Sequence, residues 1–124
     1  MWPFTNSAPQ QQGPRYRSID SDFAVAGQIS PEDVGKLAEA GFKSILCARP
    51  DHEEPGQPGF SAIADAAAKA GLKAVHIPVS GMVGEGQLIR MEAALKDLPR
   101  PIVGYCRSGA RAGSLYGAAK AALR

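Results

Sequence analysis

The chain has 124 residues, of which 44% are hydrophobic and 21% are charged, and its formal net charge is +2. This length and composition are typical of one globular domain with a single modest core. The charge is too small and too scattered to indicate a nucleic-acid surface, and no apolar run approaches the ~20 residues that span a bilayer. We therefore expect neither nucleic acid nor a membrane as a partner.

The number and spacing of the cysteines limit the classes of protein further. Two cysteines, Cys47 and Cys106, are too few for a disulfide-rich scaffold, and neither they nor the two histidines have metal-ligand spacing. We expect no metal site and no cofactor. Residues 1–5 lack the basic start and apolar stretch of a signal peptide. A cytoplasmic location is the resulting expectation.

The first 17 residues differ in composition from the remainder. They contain three prolines, three consecutive glutamines and no hydrophobic period. Such a segment buries too little apolar surface to offset the entropy lost on ordering. We predict a flexible tail over residues 1–17 and one domain over residues 18–124.

From residue 23 onward, short apolar segments alternate with segments of helical period. The predicted strands cover residues 23–26, 42–47, 74–79 and 102–106, and the predicted helices cover residues 31–40, 60–70, 87–98 and 110 to the chain end. Alternating strands and helices predict an α/β fold of three layers, with a mainly parallel sheet and helices on both faces. The loops 49–59, 80–86 and 106–109 should then meet at the carboxyl edge of the sheet, where ligands bind.

Cys106 lies where the last predicted strand ends, just before the last predicted helix begins. The first N–H groups of a helix have no internal partner, and with Arg107 and Arg111 nearby they should lower the thiol pKa below its usual ~8.5. Gly109 allows the positive φ that folds such a turn around an anion. We interpret Cys106 as a nucleophile; the alternative is a buried structural cysteine.

The spacing of Cys106 and Arg111 distinguishes two chemistries. Tyrosine and dual-specificity phosphatases have the pattern Cys-x5-Arg, whereas only four residues separate this pair. Single-domain rhodaneses have the shorter loop Cys-Arg-x-Gly-x-Arg, which residues 106–111 match. A persulfide adduct is much smaller than a phosphoryl group, whose three equatorial oxygens all need donors.

Several segments together resemble a known family, the phosphatase-like domain of the β-lactamase-hydrolase-like proteins, a group also described as sulfur transferases. The resemblance spans about residues 23–119, although the chain has Ala112 where the family commonly has Ser or Thr, a hydroxyl that Ser114 could replace. The matching segments are Val25–Ser30, Arg49–Asp51, His76–Val79 and Tyr105–Arg111.

The resemblance implies a dual-specificity-phosphatase-like fold with a rhodanese-length loop. It implies that Cys106 is the nucleophile and Arg111 the anion clamp, and that the chain acts in sulfide and persulfide metabolism, with a persulfide dioxygenase as a partner. The other expected anion-binding residues are Arg107, Ser108, Gly109, Ala110 and Arg49.

A phosphatase also requires a general acid for its leaving group. Candidates are Asp51, Glu53, Glu54 and Glu85, although Asp51 could equally fix its loop by an ion pair with Arg49, and Glu85 could simply favour the start of a helix. His76 lies inside a predicted strand, which favours a hydrogen-bonded structural histidine over a catalytic base.

Three functions remain open from the sequence. The first is a sulfurtransferase that forms a persulfide on Cys106, with a small sulfane-sulfur donor and a thiol acceptor, and it needs no general acid. The second is a phosphomonoester hydrolase that uses Cys106 and Arg111, and the third is a sensor of anions or oxidants. Cys47 is a candidate redox partner of Cys106 if their strands are neighbours; otherwise it is a small buried residue.

Overall fold

The computed structural model describes residues 13–123 as a five-stranded sheet with four helices. Strands and helices alternate from residue 23 onward, as the sequence predicts. The strands are β1 (Tyr16–Ser18), β2 (Phe23–Ala26), β3 (Ser44–Cys47), β4 (Lys73–His76) and β5 (Ile102–Tyr105), and the helices are α1 (Pro31–Glu39), α2 (Phe60–Ala70), α3 (Glu85–Asp97) and α4 (Ala110–Ala122).

The sheet order β1-β2-β5-β3-β4 places β5 in the centre. Strands β2, β5, β3 and β4 are parallel, and β1 runs antiparallel at the edge. Ala26 of β2 and Cys47 of β3 both lie opposite Tyr105 of β5. The loops that follow these three strands therefore start at the same level, which builds the predicted cleft around Cys106.

Two separate cores confirm the predicted three layers. Side chains alternate along each strand, so successive residues pack on opposite faces of the sheet. One core joins α3 and α4 to the sheet, and the other joins α1 and α2. The first includes Phe23, Val25, Leu46, Ile102, Met91 and Leu115, and the second includes Ala24, Ile45, Val103, Val34, Leu37 and Ile63.

The predicted tail extends too far into the domain. Tyr16 and Arg17 belong to β1, where they lie opposite Ala26 and Val25. The Tyr16 ring also packs edge-on against Phe42, with ring centroids 4.9 Å apart. The rest of the predicted tail, residues 1–12, lies outside the described residues. The sequence concealed β1 because all three of its residues are exposed and carry no apolar alternation.

Element boundaries follow local signals closely. Helix α1 begins at Pro31, and the Ser30 N–H donates to the Asp33 carboxylate at 2.9 Å. Strand β4 ends at His76, earlier than predicted, but the N–H groups of Ile77 and Val79 still bond to β3 and the residue after it. None of the helices within residues 13–123 is long and apolar enough to cross a bilayer.

Candidate active site

Cys106 directly follows β5 at the centre of the sheet, and its side chain is buried. The Cys106 N–H donates to the Ala26 carbonyl of β2 at 3.3 Å, which ties the residue to the neighbouring strand. Its Sγ accepts a hydrogen bond from the Gly109 N–H at 3.0 Å. Gly109 has φ +98°, a conformation that favours glycine and turns the chain back around the sulfur before α4 begins. We call residues 106–111 the Cys106 loop.

The Cys106 loop stabilises a thiolate. Burial raises the pKa of the thiol, but the backbone N–H groups of Ala112, Ser108, Arg111 and Gly109 surround the sulfur and outweigh burial, so the pKa is lowered overall. These groups are the unpaired donors of a helix start, as expected from the sequence. The predicted direction is confirmed, and the backbone supplies the main stabilisation.

Arg111 already holds an anion. Its two terminal nitrogens donate to the two Glu53 carboxylate oxygens at 2.6 and 2.9 Å, and Nη1 also donates to the Val79 carbonyl at 3.0 Å. This is the forked geometry that suits an oxyanion. Bonds from Arg111, and then from Arg49, lower the pKa of Glu53 to about 2. Glu53 is therefore ionised near neutral pH and cannot serve as a general acid there.

Arg49 has a different role from the predicted one. It is 1% exposed, and its guanidinium donates to Glu53 at 2.7 Å, to Glu54 at 2.7 Å and to Gln28 at 2.8 Å. With all three nitrogens engaged, Arg49 is not free to bind a substrate anion. It instead fixes Glu53, which then bridges Arg49 and Arg111. No role is predicted for Gln28 from the sequence, although this residue lies in the Val25–Ser30 segment that resembles the family.

The predicted anion-binding residues of the Cys106 loop contribute mainly through the backbone. Arg107 and Ser108 are exposed, and the Ser108 hydroxyl accepts a hydrogen bond from the Ala110 N–H at 3.3 Å. The Arg107 carbonyl accepts from the Gln28 N–H at 3.3 Å. A Cβ at Gly27 would lie 3.0 Å from that carbonyl oxygen, so β2 and the loop approach closely only because residue 27 is glycine.

Of the remaining general-acid candidates, two have side chains held in structural contacts and one has a side chain without such a contact. Asp51 accepts a hydrogen bond from the Phe60 N–H at 2.8 Å, so it caps α2 and does not pair with Arg49. Glu54 is paired with Arg49. Glu85, the first residue of α3, is exposed, and its side chain makes no hydrogen bond or ion pair with any residue of 13–123.

His76 takes the structural role that its strand position favours. Its Nε2 lies 2.8 Å from the Arg49 carbonyl oxygen, and its ring stacks on Phe60 with centroids 4.7 Å apart. These contacts hold the loop after β3 against the start of α2. These contacts account for His76 without a role as a catalytic base.

Cys47 and Cys106 lie on neighbouring strands but on opposite faces of the sheet. Cys47 packs in the core beneath α1 and α2, whereas Cys106 packs in the core beneath α3 and α4. Both thiols are free, and Cys47 donates to the Arg49 carbonyl at 3.3 Å. Burial raises the pKa of Cys47. The neighbouring strands are as hypothesised, but the two side chains pack on opposite faces of the sheet and are not joined by a disulfide.

A cavity of about 340 Å³ borders the Cys106 loop beside Arg111 and Ser114. Its other walls include Val79 and Met82, and Met82 is 92% exposed. The loop after β4 therefore reaches the cleft, as predicted, and leaves room for a small substrate next to Arg111. Among residues 13–123, no three His, Cys, Asp or Glu side chains are grouped to bind a metal ion.

Nearly all of the described residues match a known protein family. The family model for the phosphatase-like domain of beta-lactamase hydrolase-like protein matches residues 15–123. The beta-lactamase hydrolase-like protein of Agrobacterium fabrum is 39% identical over 99 residues, covering 79% of this chain and 23% of that protein. The protein of that name from Xylella fastidiosa 9a5c is 35% identical over 103 residues, with 82% and 24% covered. The chain thus spans less than a quarter of these relatives' length.

Solved structures show the same fold. A candidate phosphatase from Neisseria meningitidis matches with a TM-score of 0.77 and 29% identity, covering 86% of this chain and 77% of that one. The catalytic core of the PP-IP phosphatase Siw14 from S. cerevisiae matches with a TM-score of 0.64 and 22% identity, covering 85% and 64%. The resemblance stated from the sequence is confirmed, and the chain belongs to the phosphatase-like domain family of the beta-lactamase hydrolase-like proteins.

Proposed function

We propose that this domain is a sulfurtransferase in which Cys106 carries sulfur as a persulfide. The Cys106 thiolate attacks the terminal sulfur of a small persulfide R–S–SH. The Cys106 Sγ–S bond forms, the donor S–S bond breaks, and RS⁻ leaves with the electron pair while the proton stays on the transferred sulfur. A second thiolate then attacks that terminal sulfur, and Cys106 leaves as a thiolate again.

The observation that carries this proposal is the Glu53 carboxylate on Arg111. Glu53 bears a negative charge near neutral pH, since its pKa is about 2. A phosphate monoester carries close to two negative charges at pH 7 and would meet that carboxylate at the clamp. A persulfide group carries at most one charge, and its sulfur requires only the N–H groups that already face Sγ.

The chemistry of the leaving group supports the same choice. Phosphate ester hydrolysis requires a proton for the departing oxygen, but Asp51 caps α2 and both Glu53 and Glu54 are paired with arginine. A persulfide donor releases a thiolate, which is a good leaving group without protonation. A cytoplasmic setting, which we also propose, supplies reduced thiols as acceptors. A persulfide dioxygenase is the class of enzyme that would consume the product.

The second candidate function is phosphomonoester hydrolysis at the same Cys106 and Arg111. It is favoured by the fold, which this chain shares with phosphatases such as Siw14. It would require Glu53 to leave the Arg111 fork and a proton donor to reach the substrate. Glu85 is the one acid candidate without a partner in the described region, so it is the residue to test for that role.

One experiment separates the two functions. The protein and its Cys106→Ser variant are incubated with a sulfane-sulfur donor, and intact mass shows whether one sulfur atom is added; an aryl phosphate is assayed in parallel. We expect a Cys106-dependent sulfur adduct that a thiol removes, and phosphate hydrolysis no faster than in the variant. Cys106-dependent hydrolysis of the aryl phosphate without a sulfur adduct would instead support phosphomonoester hydrolysis as the function. An adduct that no thiol removes would favour a sensor.

A further inference from the structure

A second groove lies on the other side of the Cys106 loop, away from Arg111. It encloses about 260 Å³, and its lining residues include two arginines, a tyrosine and a serine. We call it the arginine groove. Its lining residues are Arg15, Tyr16, Arg17, Val25, Ala26, Gly27 and Ser108.

The edge strand β1 builds this groove. Arg17 lies opposite Val25 in the antiparallel pair, and Arg15 immediately precedes the strand. Residues two apart on an extended chain point to the same side, so the two arginines flank the groove together. Tyr16, between them, packs on Phe42.

The charges in the groove are not neutralised. Arg15 and Arg17 are exposed, and neither side chain forms an ion pair or a hydrogen bond with any residue of 13–123. By contrast, Arg49 and Arg111 both hold Glu53. The positive charge of the arginine groove, like that of the exposed Arg107 beside it, therefore remains available to a ligand.

The groove lies beside the Cys106 loop and shares Ser108 with it. Ser108, one of its walls, lies two residues after Cys106, and the Cys106 N–H donates to the carbonyl of Ala26 in the floor. Gly27 in the same floor is in close contact with the Arg107 carbonyl. A molecule that contacts the Cys106 loop and extends past Ser108 would therefore place its far end near the two arginines.

We propose that the arginine groove binds the carboxylates of the thiol that carries sulfur to Cys106. This inference rests on the proposed sulfurtransferase function and names its substrate class: small persulfides with one or more carboxylates near the sulfur. Guanidinium groups match carboxylates in forked geometry. When the donor S–S bond breaks, the leaving thiolate RS⁻ remains held by its carboxylates outside the loop, while the transferred terminal sulfur stays on Cys106.

The test compares two donors in one assay. The persulfide of mercaptosuccinate has two carboxylates, whereas that of 2-mercaptoethanol has none. The rate of sulfur addition to Cys106 is followed by intact mass for each donor, and the ratio of the two rates is the readout. We expect the wild-type protein to prefer the carboxylated donor and the Arg15→Gln/Arg17→Gln variant to lower the ratio about five-fold, the effect of losing exposed ion pairs.

Two further variants identify the cause. Lys69→Gln/Lys73→Gln removes the same charge near β4, at the opposite edge of the sheet, and should leave the ratio unchanged. Arg15→Lys/Arg17→Lys keeps the charge, so it should retain most of the preference, and added salt should reduce the preference. If the glutamine variant folds poorly, the effect of salt on the donor preference of the wild-type and lysine variants still tests the role of charge.

The outcomes are distinct from those that test the proposed function. Sulfur addition from both donors, with a ratio that the groove variants do not change, overturns this inference and leaves the sulfurtransferase standing. An equal fall in the lysine control also overturns it, because long-range charge alone would then explain the preference. Absence of sulfur addition from either donor overturns both proposals.

Discussion

The ends of β3 and β5 carry the two cysteines of the protein, and the contrast between them explains which one is reactive. Both side chains are buried, and their strands are hydrogen-bonded neighbours. Burial raises the pKa of Cys47, whereas four backbone N–H groups lower the pKa of Cys106 despite its burial. Reactivity in this sheet is thus decided by the turn that follows the strand.

Replacing Cys106 by Ser should have the largest effect. The N–H groups of the loop that stabilise a thiolate cannot ionise a serine hydroxyl, so we expect complete loss of sulfur transfer. The fold should survive because the two side chains have similar size. Single-turnover mass analysis measures the loss, and circular dichroism with a thermal melt checks the fold. Retained turnover in a folded variant would refute the assignment of the nucleophile.

Arg111→Lys should have the next largest effect. A lysine ammonium cannot form the two parallel bonds that Arg111 makes to Glu53, so the clamp that ties the Cys106 loop to Glu53 is lost. Losing such charge-assisted bonds costs ~1.5–3 kcal/mol, which we expect as a lower kcat/KM for the sulfur donor. Steady-state kinetics with a persulfide donor measures it. A donor KM close to that of the wild type would argue against the clamp.

Glu53→Gln should act mainly on stability and on its pH dependence. The folded-state pKa of Glu53 is about 2 and its ordinary value is 4.5, so its stabilising contribution is complete above pH 4.5 and is lost as the pH falls towards 2. The variant should therefore be destabilised at pH 6 by ~1–3 kcal/mol and by less at pH 3.

Urea unfolding at pH 6 and pH 3 measures this difference. Asp65→Asn is the matched control, because Asp65 is an exposed carboxylate on α2 without a described partner. It should change stability little at either pH. An equal loss in Glu53→Gln at both pH values would show that the variant disturbs packing rather than the ionised bridge between Arg49 and Arg111.

Cys47→Ala should have the smallest effect. Its side chain packs on the face away from Cys106, so we expect sulfur transfer within about two-fold of wild type, with a stability loss of ~1 kcal/mol for the removed buried sulfur. Peptide mapping after peroxide treatment of the wild type should find oxidised Cys106 without a Cys47 crosslink. A disulfide between the two would contradict the opposite-face placement.

The sequence predicts the parts of this molecule that local chemistry decides. Helix α2 occupies residues 60–70 as predicted, and an apolar run, a cysteine and a glycine turn before a helix suffice to locate Cys106. The direction of its pKa follows from the same local features, because a helix start always presents free N–H groups.

The rest depends on register and long-range contacts. Arg111 and Glu53 are 58 residues apart, so their pairing depends on how the strands align. A shift of one residue between β3 and β5 would put Cys47 on the same face as Cys106, and the sequence does not specify that register. The three exposed residues of β1 depend on pairing with β2, which no local pattern indicates.

The central position of β5 has a consequence for the order in which the domain is completed. During synthesis, β2 and β3 emerge long before residues 102–105; one edge of each pairs with β1 or β4, but the other edge pairs with β5 and not with the other strand. Until the last strand inserts, both present unpaired edges that invite intermolecular association. The reactive turn follows that strand immediately, so a nascent chain gains its nucleophilic thiolate only when the sheet closes. Incomplete chains therefore carry no stray thiolate of this kind.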